Sequence, residues 1–158
     1  MLSKDLADIF VEILQLMRVK CTLVICGFEG LDEILPEGQA HVWKLDKRLK
    51  LGYFLVQPSD FRLQIHPIEQ VKSGTPPKNA ALLLKTLDGK ISEGSSVLDF
   101  LLLNTAALLV CMEKVKDWKE GVSIARESIR SGDARKALDG FVKGSTEVAD
   151  AVSRLKGS

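Results

Sequence analysis

Asp32 and Glu33 stand side by side in a loop that carries Gly27, Gly30 and Gly38 and follows the apolar run Cys21-Thr22-Leu23-Val24-Ile25-Cys26. Adjacent carboxylates with no thiol or imidazole set beside them suit a hard cation such as Mg2+, which takes oxygen ligands and is normally shared with substrate phosphates. A loop at the carboxyl end of a strand is also where open α/β sheets bind their ligands. The spacing alone leaves a plainer alternative open, a solvated acidic loop. His41 and His66 have no ligand-spaced partner and read as structural or surface groups. Asn104 lies inside an apolar helical run, where a buried amide needs partners, and reads as a structural hydrogen bond.

A strand must present that loop, and a helix must support the strand. Leu6, Phe10, Ile13 and Met17 recur at helical spacing. They predict an N-terminal helix buried through that stripe, with Ser3 as its cap and Asp5 in its first turn. The branched, apolar Cys21–Cys26 run reads as an interior strand of a parallel sheet. Extended pieces around His41 to Leu45 and Gly52 to Val56 read as a hairpin or a pair of edge strands turning at Asp46-Lys47-Arg48. Prolines 58, 67, 76 and 77 with Gly74 break any regular element between Pro58 and Lys78.

Helices are expected from there on. One runs from Asn79 to Leu87 and ends at Gly89. A second, Val97 to Met112, is capped by Ser96, apolar all round and so expected mid-domain. Asp117 and Glu120 are spaced to cap a third, with Trp118, Val122, Ala125 and Ile129 facing inward. Asp133 opens a fourth through Leu138 and Phe141, and Ser145 caps a fifth ending near Leu155. A lone interior strand among so many helices lacks parallel neighbours, so the chain reads as a piece of a larger α/β sheet.

Twenty-two basic and 21 acidic residues leave a net charge of +1 across 158 residues, with no electrostatic reason to expect nucleic acid or an anionic membrane as partner. Three cysteines, Cys21, Cys26 and Cys111, include no CxxC pair and suggest neither a disulfide framework nor a zinc site. Buried, reduced thiols in a cytoplasmic protein are expected. The N-terminus carries acidic residues and no long apolar core, unlike a signal peptide. The longest apolar stretch falls short of the ~20 residues a membrane span needs. Trp43 and Trp118 read as core, and Lys47-Arg48 and the lysines of 114–119 as solvated charge.

The segment Val24-Ile25-Cys26-Gly27-Phe28-Glu29-Gly30-Leu31-Asp32-Glu33-Ile34 resembles the strand-and-loop signature of anthranilate phosphoribosyltransferases. In that family a strand ends in His-Gly or Cys-Gly and runs into Gly-Leu-Asp-Glu. Further blocks resemble the family in the right order: Ser3-Lys4-Asp5-Leu6-Ala7, Pro58-Ser59-Asp60-Phe61, Gly74 with Asn79-Ala80, and Leu102-Leu103-Asn104-Thr105-Ala106-Ala107. Glu120-Gly121-Val122 with Ala125, and Ser131-Gly132, resemble its closing helices. The Cys-Gly form leans toward fungal members.

The resemblance implies transfer of a phosphoribosyl group from phosphoribosyl pyrophosphate to anthranilate in tryptophan biosynthesis. It also implies that Asp32 and Glu33 hold a Mg2+ bridging the pyrophosphate. The fold it implies is α/β: an incomplete phosphoribosyltransferase-type α/β domain, with few strands followed by several C-terminal helices, residues 1–158 being its C-terminal portion. The family's Gly-Thr-Gly-Gly-Asp loop, Lys-His-Gly segment, anthranilate-contacting arginine and N-terminal helical domain have no counterpart in these residues, so no catalytic residue is assigned. The expectation is a truncated copy or a mispredicted gene fragment, inactive alone, that can pair with a full-length homologue. Leu35, Arg62 and Ser73 depart from the family pattern, which usually has Ser, Gly and Gly there. Two other readings stay open: a non-enzymatic metal- or pyrophosphate-binding or interaction module, and a related enzyme such as a pyrimidine nucleoside phosphorylase.

Overall fold

A computed structural model describes residues 4–28 and 30–156. The order is α1 (Lys4–Leu16), β1 (Thr22–Gly27), β2 (Ala40–Leu45) and β3 (Leu51–Val56), then two 3-10 turns (Pro58–Phe61 and Ile68–Val71). Four helices follow: α2 (Pro76–Leu87), α3 (Ser96–Cys111), α4 (Trp118–Arg130) and α5 (Asp133–Lys156). The architecture is of the expected α/β class, a three-stranded sheet and then several helices.

The sheet order is β1-β2-β3 and both pairings are antiparallel. Among the described residues β1 lies at the edge of the sheet, with the antiparallel β2 as its one neighbour and its other side unpaired. Its Thr22–Ile25 stretch is half-buried. Val24 and Cys26 turn toward α1, while Leu23 and Ile25 line a hollow with α3 residues. The expected hairpin is present. Asp46 closes its turn by accepting from the amides of Arg48 and Lys50 at 2.7 and 2.9 Å, and the Lys50 N–H above all holds its carboxyl below the usual carboxylate range.

The chain divides into two compact units. The first contains α1, the sheet, both 3-10 turns, α3 and most of α4; the second contains α2, α5 and the end of α4. In the first, Ala7 and Val11 of α1 pack with Cys26, Trp43 and Leu45, flanked by Leu14 and Val24. Trp43 places its indole N–H on Asp8 at 3.0 Å.

The buried stripe of α1 is therefore not the expected one. Leu6, Phe10, Ile13 and Met17 are all at least 40% exposed. The smaller Ala7 and Val11 face the sheet because Trp43 already fills the space beneath the helix. Ser3, the expected cap, lies outside the described residues.

Helix α3 is buried along Leu98, Leu102, Leu103, Ala106, Ala107 and Val110 but leaves Leu108 63% exposed, so it is not enclosed all round. Its cap residue is Ser95 rather than Ser96. Helix α4 begins as expected: Asp117 accepts from the Glu120 amide at 2.8 Å, and Glu120 reaches back to the Lys116 amide at 2.9 Å. Gly121 lets α4 approach α3 closely, since a Cβ there would lie 2.9 Å from the Ala106 Cα and Cβ.

In the second unit, α2 starts three residues earlier than expected, at a proline pair suited to a first turn. Asn79 exchanges two hydrogen bonds with the backbone of Gly74, at 2.8 and 3.3 Å. The two helices expected after Asp133 are one, α5. Ser145 is inside it and caps nothing. Arg135 pairs with Asp88 at 2.6 Å and with Asp139 at 3.0 Å.

Candidate metal and phosphate site

The chain leaves β1 at Gly27 and turns at once. The Gly27 amide donates to the Leu31 carbonyl at 2.7 Å, the Gly30 amide to the Gly27 carbonyl at 2.9 Å, and Gly30 takes φ 78°. A glycine is needed at that left-handed position. Asp32 and Glu33 follow, both exposed.

The chain then dives into the core at Ile34, Leu35 and Pro36. Leu35, a departure from the family pattern, is 5% exposed and is absorbed as an extra apolar contact. Asn104 of α3 holds the turn by its backbone. Its Oδ1 accepts from the Ile34 N–H at 3.1 Å, and its Nδ2 donates to the Ile34 carbonyl at 3.0 Å and to that of Phe100 at 3.2 Å. The structural hydrogen bond expected of Asn104 is thus present, and it clasps the backbone of Ile34, the residue after Glu33. Beyond it, the His66 amide donates to the Pro36 carbonyl at 2.9 Å, and Glu37 accepts from the Ile68 amide at 2.7 Å.

Asp32 borders a hollow of about 520 Å³ with Leu6, Phe10, Val24 and Leu31. Glu33 borders another of about 490 Å³ with Leu23, Ile25, Leu101, Asn104 and Leu108. Leu23 and Ile25 of β1 line both hollows, and the two carboxylates mark the polar rims of these neighbouring apolar hollows. Among the described residues no third His, Cys, Asp or Glu completes a metal-binding cluster with them. Two exposed carboxylates without soft donors fit a Mg2+ whose remaining ligands are water and phosphate oxygens. They do not fit a closed structural site.

Arg62, another family departure, sits at φ 58°, ψ 35° after the first 3-10 turn, its amide donating to the carbonyls of Pro58 and Ser59. The left-handed geometry explains a glycine preference at this position.

A buried polar pair was not legible from spacing. His66 Nε2 lies 2.9 Å from Asp99 Oδ2, and Arg126 approaches the same carboxylate at 3.7 Å while pairing with Glu93. The one available signal was Asp99 itself, the single charge within the apolar α3 run. His41 is stacked between Phe28 and Tyr53, with ring centroids at 4.7 and 5.9 Å.

Residues 1–135 match the family described as glycosyl transferase family, a/b domain. The chain belongs to this family. Among curated relatives, it is 40% identical over 137 residues to anthranilate phosphoribosyltransferase of Schizosaccharomyces pombe, covering 87% of this chain and 38% of that protein. It is 35% identical over 147 residues to the Saccharomyces cerevisiae enzyme of the same name, covering 89% and 39%. The S. cerevisiae enzyme solved in complex with PRPP and Mg superposes with a TM-score of 0.81 at 34% identity, over 89% of this chain and 40% of that one. Its complex with 4-fluoroanthranilate gives 0.82. This family member thus spans about two fifths of the length of the curated relatives it matches. Among the described residues, no helix is long and apolar enough to cross a membrane.

Proposed function

We propose that these 158 residues form the metal-and-pyrophosphate side of an anthranilate phosphoribosyltransferase-type site, with Asp32 and Glu33 as oxygen ligands to Mg2+. The observation that carries this reading is the exposed carboxylate pair just past the Gly27–Leu31 backbone hydrogen bond, beside an Ile34 backbone clasped by Asn104. It is supported by relatedness to enzymes of that name, one of them solved with PRPP and Mg. Bound Mg2+ would neutralise charge building on pyrophosphate as the ribose C1–O bond breaks. The chain's own part is to present two adjacent carboxylates just past the end of β1.

Isothermal calorimetry with Mg2+ and pyrophosphate together should give binding to the wild type. The Asp32→Ala, Glu33→Ala double variant should lose at least tenfold in affinity, about 1.4 kcal/mol. Equal binding by both proteins would retire the assignment.

The same reading holds that the chain alone does not make phosphoribosyl anthranilate. Transfer needs the donor positioned and the amine aimed at C1, and the two carboxylates serve only the leaving group. Missing alignment can forfeit roughly 7–11 kcal/mol of barrier lowering. Anthranilate fluorescence with phosphoribosyl pyrophosphate in Mg2+ buffer should stay constant, and an Asp32-dependent loss would overturn this. A second reading, an interaction module, is favoured by the exposed apolar stripe of α1.

A further inference from the structure

Two of the three cysteines, 90 residues apart in the chain, meet inside the first unit. Cys111, the last residue of α3, donates its thiol to the carbonyl of Cys21, the residue before β1, with sulfur and oxygen 2.8 Å apart. A carbonyl oxygen lies about 2.4 Å from its own Cα, so the Cys111 sulfur is within roughly 5 Å of the Cys21 Cα. Disulfides join residues whose Cα atoms are about 4.4–6.8 Å apart. Cys26 cannot compete for either thiol. It stands at the far end of β1, on the order of 15 Å from Cys21 along the strand, and packs toward α1 with Ala7 and Val11.

We propose that Cys21 and Cys111 are a modification site, a thiol pair that closes to an intramolecular disulfide by exchange with a small disulfide such as oxidised glutathione. Rotation of the two side chains between staggered positions brings sulfur to sulfur.

Burial sets the order of events. Cys111 is 7% exposed and Cys21 is only half-buried, so Cys21 meets the oxidant. Its thiolate attacks one sulfur of glutathione disulfide, whose S–S bond breaks, and the first glutathione leaves with the electron pair and takes up a proton. Cys111 then gives up its proton and attacks the Cys21 sulfur, breaking the mixed disulfide and releasing the second glutathione. Two electrons pass from the two cysteines to glutathione disulfide, and every thiol proton ends on a glutathione or in water. Burial, reinforced by Cys21, pushes the Cys111 thiol up, so this second step quickens as pH rises.

The bond would tie together the two walls of one hollow. Leu23 and Ile25 of β1 line it with Leu101, Asn104 and Cys111 of α3, and Glu33 stands at its rim.

The test is to incubate the folded full chain with oxidised glutathione, block remaining thiols with N-ethylmaleimide, and map the digest by mass spectrometry. The wild type and Cys26→Ser should both yield a Cys21–Cys111 peptide pair, reversed by dithiothreitol and monomeric on a non-reducing gel. Cys111→Ser should stop at a glutathione adduct on Cys21. Oxidised in urea instead, the wild type should form mainly Cys21–Cys26, because the shorter loop closes more readily in the unfolded chain. An adduct that persists on wild-type Cys21, a folded-state bond to Cys26, a bond between two copies, or three thiols still reduced would each overturn the proposal. So would a Cys21–Cys111 yield as high in urea as in the folded protein, since the fold would then not be directing the pair.

Discussion

Replacing Asn104 by alanine removes the one side chain that binds both backbone groups of Ile34. Ile34 is 1% exposed, so water has little access to the N–H and carbonyl left behind. Each orphaned buried group costs roughly 1–3 kcal/mol. Two of them, softened by partial relaxation, make Asn104→Ala about 2–4 kcal/mol less stable, a large fraction of a typical domain's total. The bond to the Phe100 carbonyl adds little, since that oxygen can keep its partner within α3. Urea denaturation followed by tryptophan fluorescence reads the change, and Thr105→Ala, the next residue of α3, serves as control with a loss of less than about 1 kcal/mol expected. The carboxylate turn should loosen too, so calorimetric affinity for Mg2+ with pyrophosphate should fall in Asn104→Ala below the midpoint of unfolding. A stability loss under about 0.5 kcal/mol would refute the reasoning, because it would mean that the Ile34 groups find other partners at no cost.

Arg62→Gly should raise the urea midpoint: relief of a left-handed arginine is worth roughly 1–2 kcal/mol, offset by about 0.5–1 kcal/mol of extra unfolded-state freedom. A lower midpoint would mean that the arginine side chain contributes more than its backbone costs. Gly121→Ala should destabilise by about 1–3 kcal/mol, because the new methyl meets the Ala106 Cα and Cβ at 2.9 Å and two helices must separate. Burial, reinforced by the neighbouring Cys21, pushes the Cys111 thiol above its ordinary value of 9.0. Its contribution to stability is accordingly complete below the unfolded-state value and declines as pH rises through the higher folded one. The stability difference between wild type and Cys111→Ala should shrink above about pH 9, and iodoacetamide should reach the less buried Cys21 before Cys111.

What the sequence revealed, and what it hid, follows from the range of each interaction. The hairpin was legible because Asp46 closes its turn on amides two and four residues away. The carboxylate loop was legible because glycines, strand and acids are neighbours in the chain. Asn104 was legible for a different reason: an amide buried in an apolar helix must find partners, even when the partner, Ile34, is 70 residues distant.

The α1 error shows where such reasoning stops. Two apolar stripes interleave on that helix, and period alone cannot say which one the sheet covers. Choosing the bulkier stripe assumes that large side chains always win the interior. Here Trp43 fills the space, so the residues of α1 buried against it are small ones, Ala7 at 0% and Val11 at 2% exposure, with Leu14 only partly buried beside them. The sheet-facing side of α1 was thus decided by a residue 36 positions from Ala7, on a strand whose register no local pattern encodes. The apolar run of β1 likewise reports burial rather than pairing: among the described residues the strand is paired on one side only, antiparallel to β2, and stays half-buried from Thr22 to Ile25.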